Sequence, residues 1–239
     1  MSFPSSAWLG ERKPVRRRLS AEAIVAAGLE ILAADGLDAV TMRAVAGKLD
    51  TGAASLYAHV KDKNELHLLM LDEVIGEVEV PEPADPERWQ AQVKEFCRNA
   101  YAALTRHPGM ASVNIGTIPT GPKALRTSEA LLKILLAGGL SKPVVGLAID
   151  LVTLYPTAVA FEDTIWRARA GAPADAAVTE QTVVGQIDAY FRSLPEDLFP
   201  TVRMMAPFLT AGDGNLRFEF GLSVLVAGLA ALKDWSLEA

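Results

Sequence analysis

Apolar and small residues at Ala21, Ile24, Val25, Gly28, Ile31 and Leu32 recur at steps of three and four, the spacing of one helix face. Ser20 before the run offers a capping oxygen, and Gly36 after it stops the helix. A second, shorter helix is predicted after Thr41, burying Met42, Val45, Ala46 and Leu49, and "DTG" then breaks the pattern before "AASLYAHV". In that third segment Leu56 and Val60, four apart, face inward. Asp62 opens an Asp-x-x-Glu capping pattern with Glu65, and "ELHLLMLDEVIGEV" continues as a longer helix until the three prolines of "VPEPADPE" end it. From Arg88 onward helical patterns dominate: "RWQAQVKEFCRNAYAALTRH", a short piece after Pro108, "PKALRTSEALLKILLAGG", the stretch 143 to 170, "EQTVVGQIDAYFRSL" and "NLRFEFGLSVLVAGLAALKDW". Turn clusters at His107 to Gly109, Gly138-Gly139, Ala170 to Asp175 and Gly212 to Gly214 separate them, and no period-two alternation persists. The expectation is an all-α chain: an N-terminal three-helix helix-turn-helix module over 20–66, a connecting helix over 67–79, and a larger helical domain over 80–239.

Composition narrows the choice. Half of the 239 residues are hydrophobic, enough for a substantial core and too many for a disordered chain. A net charge of −6 argues against indiscriminate coating of nucleic acid or anionic membrane. The single cysteine, Cys97, allows neither a disulfide framework nor a thiolate zinc site. No metal or cofactor motif stands out, so none is expected. The first residues lack the apolar core of a secretory signal, which fits a cytoplasmic protein. "VVGLAIDLVTLYPTAVAF" approaches spanning length but holds Asp150 and Pro156, and is read as a buried or interface helix rather than a membrane span. Residues 1–19 end in "ERKPVRRRL", a basic run that is either a solvated tail or a nucleic-acid-binding arm.

The module's third segment suits a DNA groove. A helix laid in the major groove needs a slim leading end, and Thr51, Gly52, Ala53, Ala54 and Ser55 provide one with free N–H groups for phosphate. Tyr57 and His59 can add phosphate or base contacts, and Lys61 and Lys63 flank the next helix start. These residues carry a resemblance: "LLAADGLDAVTMRAVAGKL" followed by "SLYAHVKDKNEL" is similar to the DNA-binding module of the tetracycline-repressor (TetR) family of bacterial regulators. The resemblance implies that Arg43 contacts a base and that Tyr57, His59 and Lys63 hold phosphate; Thr41, just before the same helix, is a further candidate DNA contact. It also implies that Arg16, Arg17 and Arg18 reach the neighbouring minor groove. The turn "LDTG" departs from the family's usual leucine-glycine-valine, although Asp50 tolerates a left-handed backbone. Ala53 and Ala54 stand where some members read bases, so the operator sequence does not transfer.

Beyond residue 66 the chain resembles the tetracycline-responsive branch, through "RWQAQVKEFCRNAYAALTRHPGMASVNIGTIPT" and "LYPTAVAFED". That branch holds magnesium-tetracycline. Here its metal-contacting histidine falls at Asn114 and its arginine at Ile118, while a glutamine and an asparagine align with Ala130 and Phe96. Thr117, Pro119 and Glu162 match. Losing a ligand and a donor fork removes the basis for tetracycline recognition. A more apolar effector site is expected, lined by Phe96, Ala100, Leu104, Asn114, Thr117, Ile118, Leu131, Leu135, Tyr155, Phe161, Glu162 and Trp166, although helical spacing equally suits ordinary core for most of them. Pro156 should kink its helix.

The stretches 144–161 and 220–235 are apolar around most of their circumference, and Gly146, Ala148, Gly221, Ala227 and Gly228 permit close approach. They resemble the family's dimer-forming helices, implying a homodimer on a palindromic double-stranded operator, released by a small-molecule effector. Two rivals stand beside that reading: a helical enzyme using His59, His67 or His107, which no catalytic motif supports, and a dimeric ligand-binding protein that does not read DNA.

Overall fold

The computed structural model describes residues 19–118, 120–170, 176–233 and 235–236. The basic arm with Arg16, Arg17 and Arg18, Pro119 and most of the turn after Ala170 lie outside the described residues. Among the described residues every regular element is helical. Helices α1 (Ala21–Asp35), α2 (Met42–Lys48), α3 (Ala53–Leu56) and α4 (Lys63–Gly76) form the N-terminal part, with a one-turn 3-10 segment at Leu37–Ala39. The rest comprises α5 (Trp89–Arg106), α6 (Met110–Asn114), α7 (Pro122–Ala137), α8 (Lys142–Ala170), α9 (Ala176–Ser193), α10 (Pro200–Leu209) and α11 (Gly214–Ala231).

Local chemistry fixes the N-terminal boundaries. Ser20 Oγ accepts from Ala23 N at 3.2 Å and Thr41 Oγ1 from Ala44 N at 3.1 Å. Asp62 Oδ1 accepts from Glu65 N at 2.8 Å, while the Glu65 carboxylate reaches back to the amide of Lys61. Gly36, at φ 82°, ends α1. The division expected at residue 66 lies within the unbroken α4.

Two apolar cores follow. The first joins Ile24, Ile31 and Leu32 of α1, Met42 and Val45 of α2, Leu56, Val60, and Leu66, Met70 and Val74 of α4. It also takes in Leu104, Met110, Ala111 and Ala160 from the C-terminal helices. The second joins α5, α7, α8 and α11 around Trp89, Val93, Phe96, Leu131, Leu135, Val152, Phe218 and Leu222. Helix α4 therefore has one face in the first core and packs against α7 on another side.

Pro156 lies inside α8 and has no N–H for the carbonyl four residues back. That carbonyl, on Val152, accepts instead from the Cys97 thiol of α5 at 3.4 Å. Burial pushes the Cys97 pKa up to about 12, so the donor keeps its proton. Over Lys142–Arg167, α8 is long and apolar enough to cross a membrane by length and composition, yet it packs against α5, α6, α7 and α11.

Two differences from the sequence expectation are clear. Helix α10 was not foreseen; it opens with Pro200 at the first helical turn, where the missing N–H costs nothing. Glycine and alanine positions also separate by role. Ala148 is buried within the protomer, and Gly221 leaves room for the Tyr155 side chain. Gly146 and Gly228 face open space.

Candidate functional site

The turn between α2 and α3 is built by backbone bonds. Thr51 N donates to Ala46 O at 3.0 Å and Asp50 N to Gly47 O at 3.2 Å, the paired pattern that closes a helix through a left-handed residue. That residue is Asp50, at φ 48°, where glycine would be easier. The turn sets α3 against α2 with Leu56 fully buried. Helix α3 is only four residues long; His59 N and Val60 N both donate to Leu56 O at 2.9 Å, carrying the turn on until Val60 is buried.

What remains outside is slim and basic. Thr41, Arg43, Ser55, Tyr57, His59 and Lys61 are exposed, Tyr57 by 54%, whereas Thr51, Ala53 and Lys63 are half-buried. Ala53 packs on the first core and holds α3 down rather than projecting from it. The Glu22 carboxyl at the start of α1 is held below its ordinary value by its own backbone amide, then by Ser20, and also by the nearby His59.

His67, named in the enzymatic alternative, lies on α4 with its Nε2 buried and without a hydrogen-bond partner among the described residues. Burial, then Lys63, lowers its pKa, with the Val40 backbone acting the other way. His107 instead pairs with Glu77 at 2.9 Å. Among the described residues no group of three metal-ligating side chains forms.

Seven of the twelve effector-site candidates, Tyr155 among them, lie in or against the two cores. Phe96, Ala100, Leu131 and Leu135 are buried in the second and Leu104 in the first, with Phe161 packed against the first. Asn114 Nδ2 donates to the buried Thr157 Oγ1 at 2.9 Å, and Thr117 Oγ1 donates to Val113 O at 2.7 Å. The Tyr155 ring stacks on Phe218 and its hydroxyl reaches Phe218 O at 3.1 Å, so this residue braces α8 against α11. Ile118 is 85% exposed, and Glu162 and Trp166 are also exposed. Depressions of about 380 Å³ beside Arg192, Arg203 and Met204, and about 220 Å³ beside Pro81, Ala130 and Lys133, touch none of the twelve. Thr157 and the Tyr101–Asp163 hydroxyl–carboxylate pair add interior polar groups that periodicity did not single out. Polar residues set into apolar helices give no periodic signal.

A short helix-turn-helix with an open basic face, joined through α4 to a larger helical bundle, defines a DNA-binding regulator. Residues 24–69 match the family described as bacterial regulatory proteins, tetR family, and residues 82–233 match the tetracyclin repressor-like C-terminal domain. The chain belongs to the TetR family and is a transcriptional regulator. A regulator from Saccharopolyspora erythraea is 30% identical over 95% of this chain and 92% of its own. The class D tetracycline repressor from Escherichia coli is 28% identical over 88% of this chain and 89% of its own. The solved structure of ActR from Streptomyces coelicolor in complex with actinorhodin is 38% identical, with a TM-score of 0.81 over 91% of this chain and 98% of that one.

Proposed function

We propose that the protein is a cytoplasmic, homodimeric repressor that binds a palindromic operator and is released by a small molecule of the kind ActR binds, actinorhodin being the first to try. The observation that carries the DNA half is the turn at Asp50, which seats α3 through Leu56 and leaves Arg43, Tyr57 and His59 exposed around a stretch of small side chains. Arg43 reads a base, with guanine as its natural bidentate partner. Thr41, Thr51, Ser55, Tyr57, His59, Lys61 and Lys63 contact the backbone or lie along it, and Ala53 admits it closely. Arg16 to Arg18 track the adjacent minor groove.

Dimerisation is supported by the outward faces of α8 and α11. Leu147, Leu151, Leu154 and Val224 are each about half exposed and Phe220 is 70% exposed, and Gly146 and Gly228 beside them admit a second backbone. The effector enters between α5, α6, α7 and α8, where Asn114 and Thr157 supply polarity among Phe96, Leu131 and Leu135. The absence of histidine and arginine at 114 and 118 speaks against tetracycline.

Selection of bound duplexes from a random library tests the DNA half, followed by titration of the protein–operator complex with actinorhodin. An enriched palindrome released by actinorhodin is the expected result. Failure to enrich any duplex from a folded dimer would favour the ligand-binding alternative without DNA reading.

A further inference from the structure

We propose that Asp72 is the positioning residue that couples the bundle to the DNA-binding module, by capping a helix to which it does not belong. This rests on the effector-responsive reading above. The side-chain caps of α1, α2, α4 and α11 are local: Ser20, Thr41, Asp62 and Asp213 each bond an amide three residues on. Helix α7 has no such cap. Its N-cap is Gly121, without a side chain, and its first residue is Pro122, without an N–H. The amides of Lys123 and Ala124 go instead to the two carboxylate oxygens of Asp72, on α4, at 3.3 and 2.9 Å.

The surroundings fit that carboxylate closely. A Cβ on Gly121 would overlap it, and a Cβ on Gly76 would press on the Lys123 side chain. Glu73, the neighbour of Asp72, pairs with the Lys123 ammonium, and Thr127 Oγ1 reaches Ile75 O at 3.5 Å. Helix α4 thus holds the first turn of α7 on one side while its Leu66, Met70 and Val74 lie in the core of the DNA-binding module. The segment that holds Thr117 and Ile118 stands only a few residues before that turn in the sequence. A shift of the segment moves the amides that Asp72 holds, and charge-assisted hydrogen bonds tolerate little misalignment. The orientation of α4 and the state of the segment therefore change together.

Coupling between sites is reciprocal, so DNA can serve as the effector. Hydrogen exchange at the Lys123 and Ala124 amides is measured in the full-length dimer, free and saturated with the selected operator. In the unaltered protein, operator is expected to change these rates by about fivefold or more, the lower end of ordinary allosteric coupling. Asp72→Ala and Gly121→Ala, which break the contact from opposite sides, are expected to bind operator but lose that response; Asp72→Asn keeps part of it. A cap that is merely structural would raise exchange equally with and without operator, leaving the ratio intact, and that result overturns the proposal. So does an unmoved rate in the unaltered protein once an electrophoretic shift shows the operator bound. If no duplex is bound at all, the regulator reading falls, and the coupling with it.

Discussion

At the residue scale, the Cys97 thiol occupies a position that Pro156 created. The Val152 carbonyl loses its helical donor to the proline and takes the thiol instead, in a fully buried setting. Replacing Cys97 with alanine leaves that carbonyl unsatisfied, at a cost of about 1–3 kcal/mol, whereas serine keeps a donor and is expected to lose less. Urea denaturation of both variants checks this. His67 gives the chain an acid-sensitive spot. Burial, then Lys63, keeps its imidazole neutral below the ordinary value of 6.5. As pH falls through that value the unfolded chain takes up a proton that the folded chain refuses. Stability therefore drops from there to the folded pKa and levels off below it. His67→Leu should flatten that slope, measured as denaturation midpoints between about pH 7 and about pH 5. On DNA, Arg43→Ala should cost about 1–3 kcal/mol and relax preference at one base pair, while Tyr57→Ala weakens all duplexes alike. Repeating the duplex selection with each variant distinguishes the two.

At the element scale, the turn after α2 carries a stability cost that can be removed. Asp50 occupies a left-handed conformation at φ 48°, and Asp50→Gly should stabilise the fold by up to about 1 kcal/mol in thermal unfolding without altering the hydrogen bonds of Thr51. Much at this scale was legible in advance. Ser20, Thr41 and Asp62 cap where a short polar side chain precedes an apolar period, and Leu56 and Val60 face inward as their four-residue spacing requires. These signals are local, so the sequence displays them. Helix α10 was hidden because a proline reads alike at a first turn and in a break. The brevity of α3 was hidden because Val60 must be buried before the chain can restart at Asp62, a demand of the core rather than of propensity. Asp72 was invisible: its partners lie about fifty residues away, and nothing in "LMLDEVIG" marks one acid as a cap for another helix. The effector-site candidates fared unevenly for the same reason, since spacing that buries Leu131 or Leu135 does not say against what.

For the whole molecule, the outer faces of α8 and α11 carry more apolar surface than a lone protomer covers. On the proposed homodimer and palindromic operator, introducing charge there, as in Leu151→Glu with Phe220→Glu, is expected to give a folded monomer in analytical ultracentrifugation and to weaken operator binding, because one half-site would supply only part of the contact. The first core sets a different limit. Leu104, Met110, Ala111 and Ala160 belong to helices far along the chain, yet they complete the apolar interior around α1 and α4. A cut that looks clean in the sequence is therefore not clean in space. A chimaeric biosensor made by grafting this DNA-reading head onto a foreign sensing bundle would leave Met70 and Val74 facing surfaces never fitted to them. Those four positions must travel with the head.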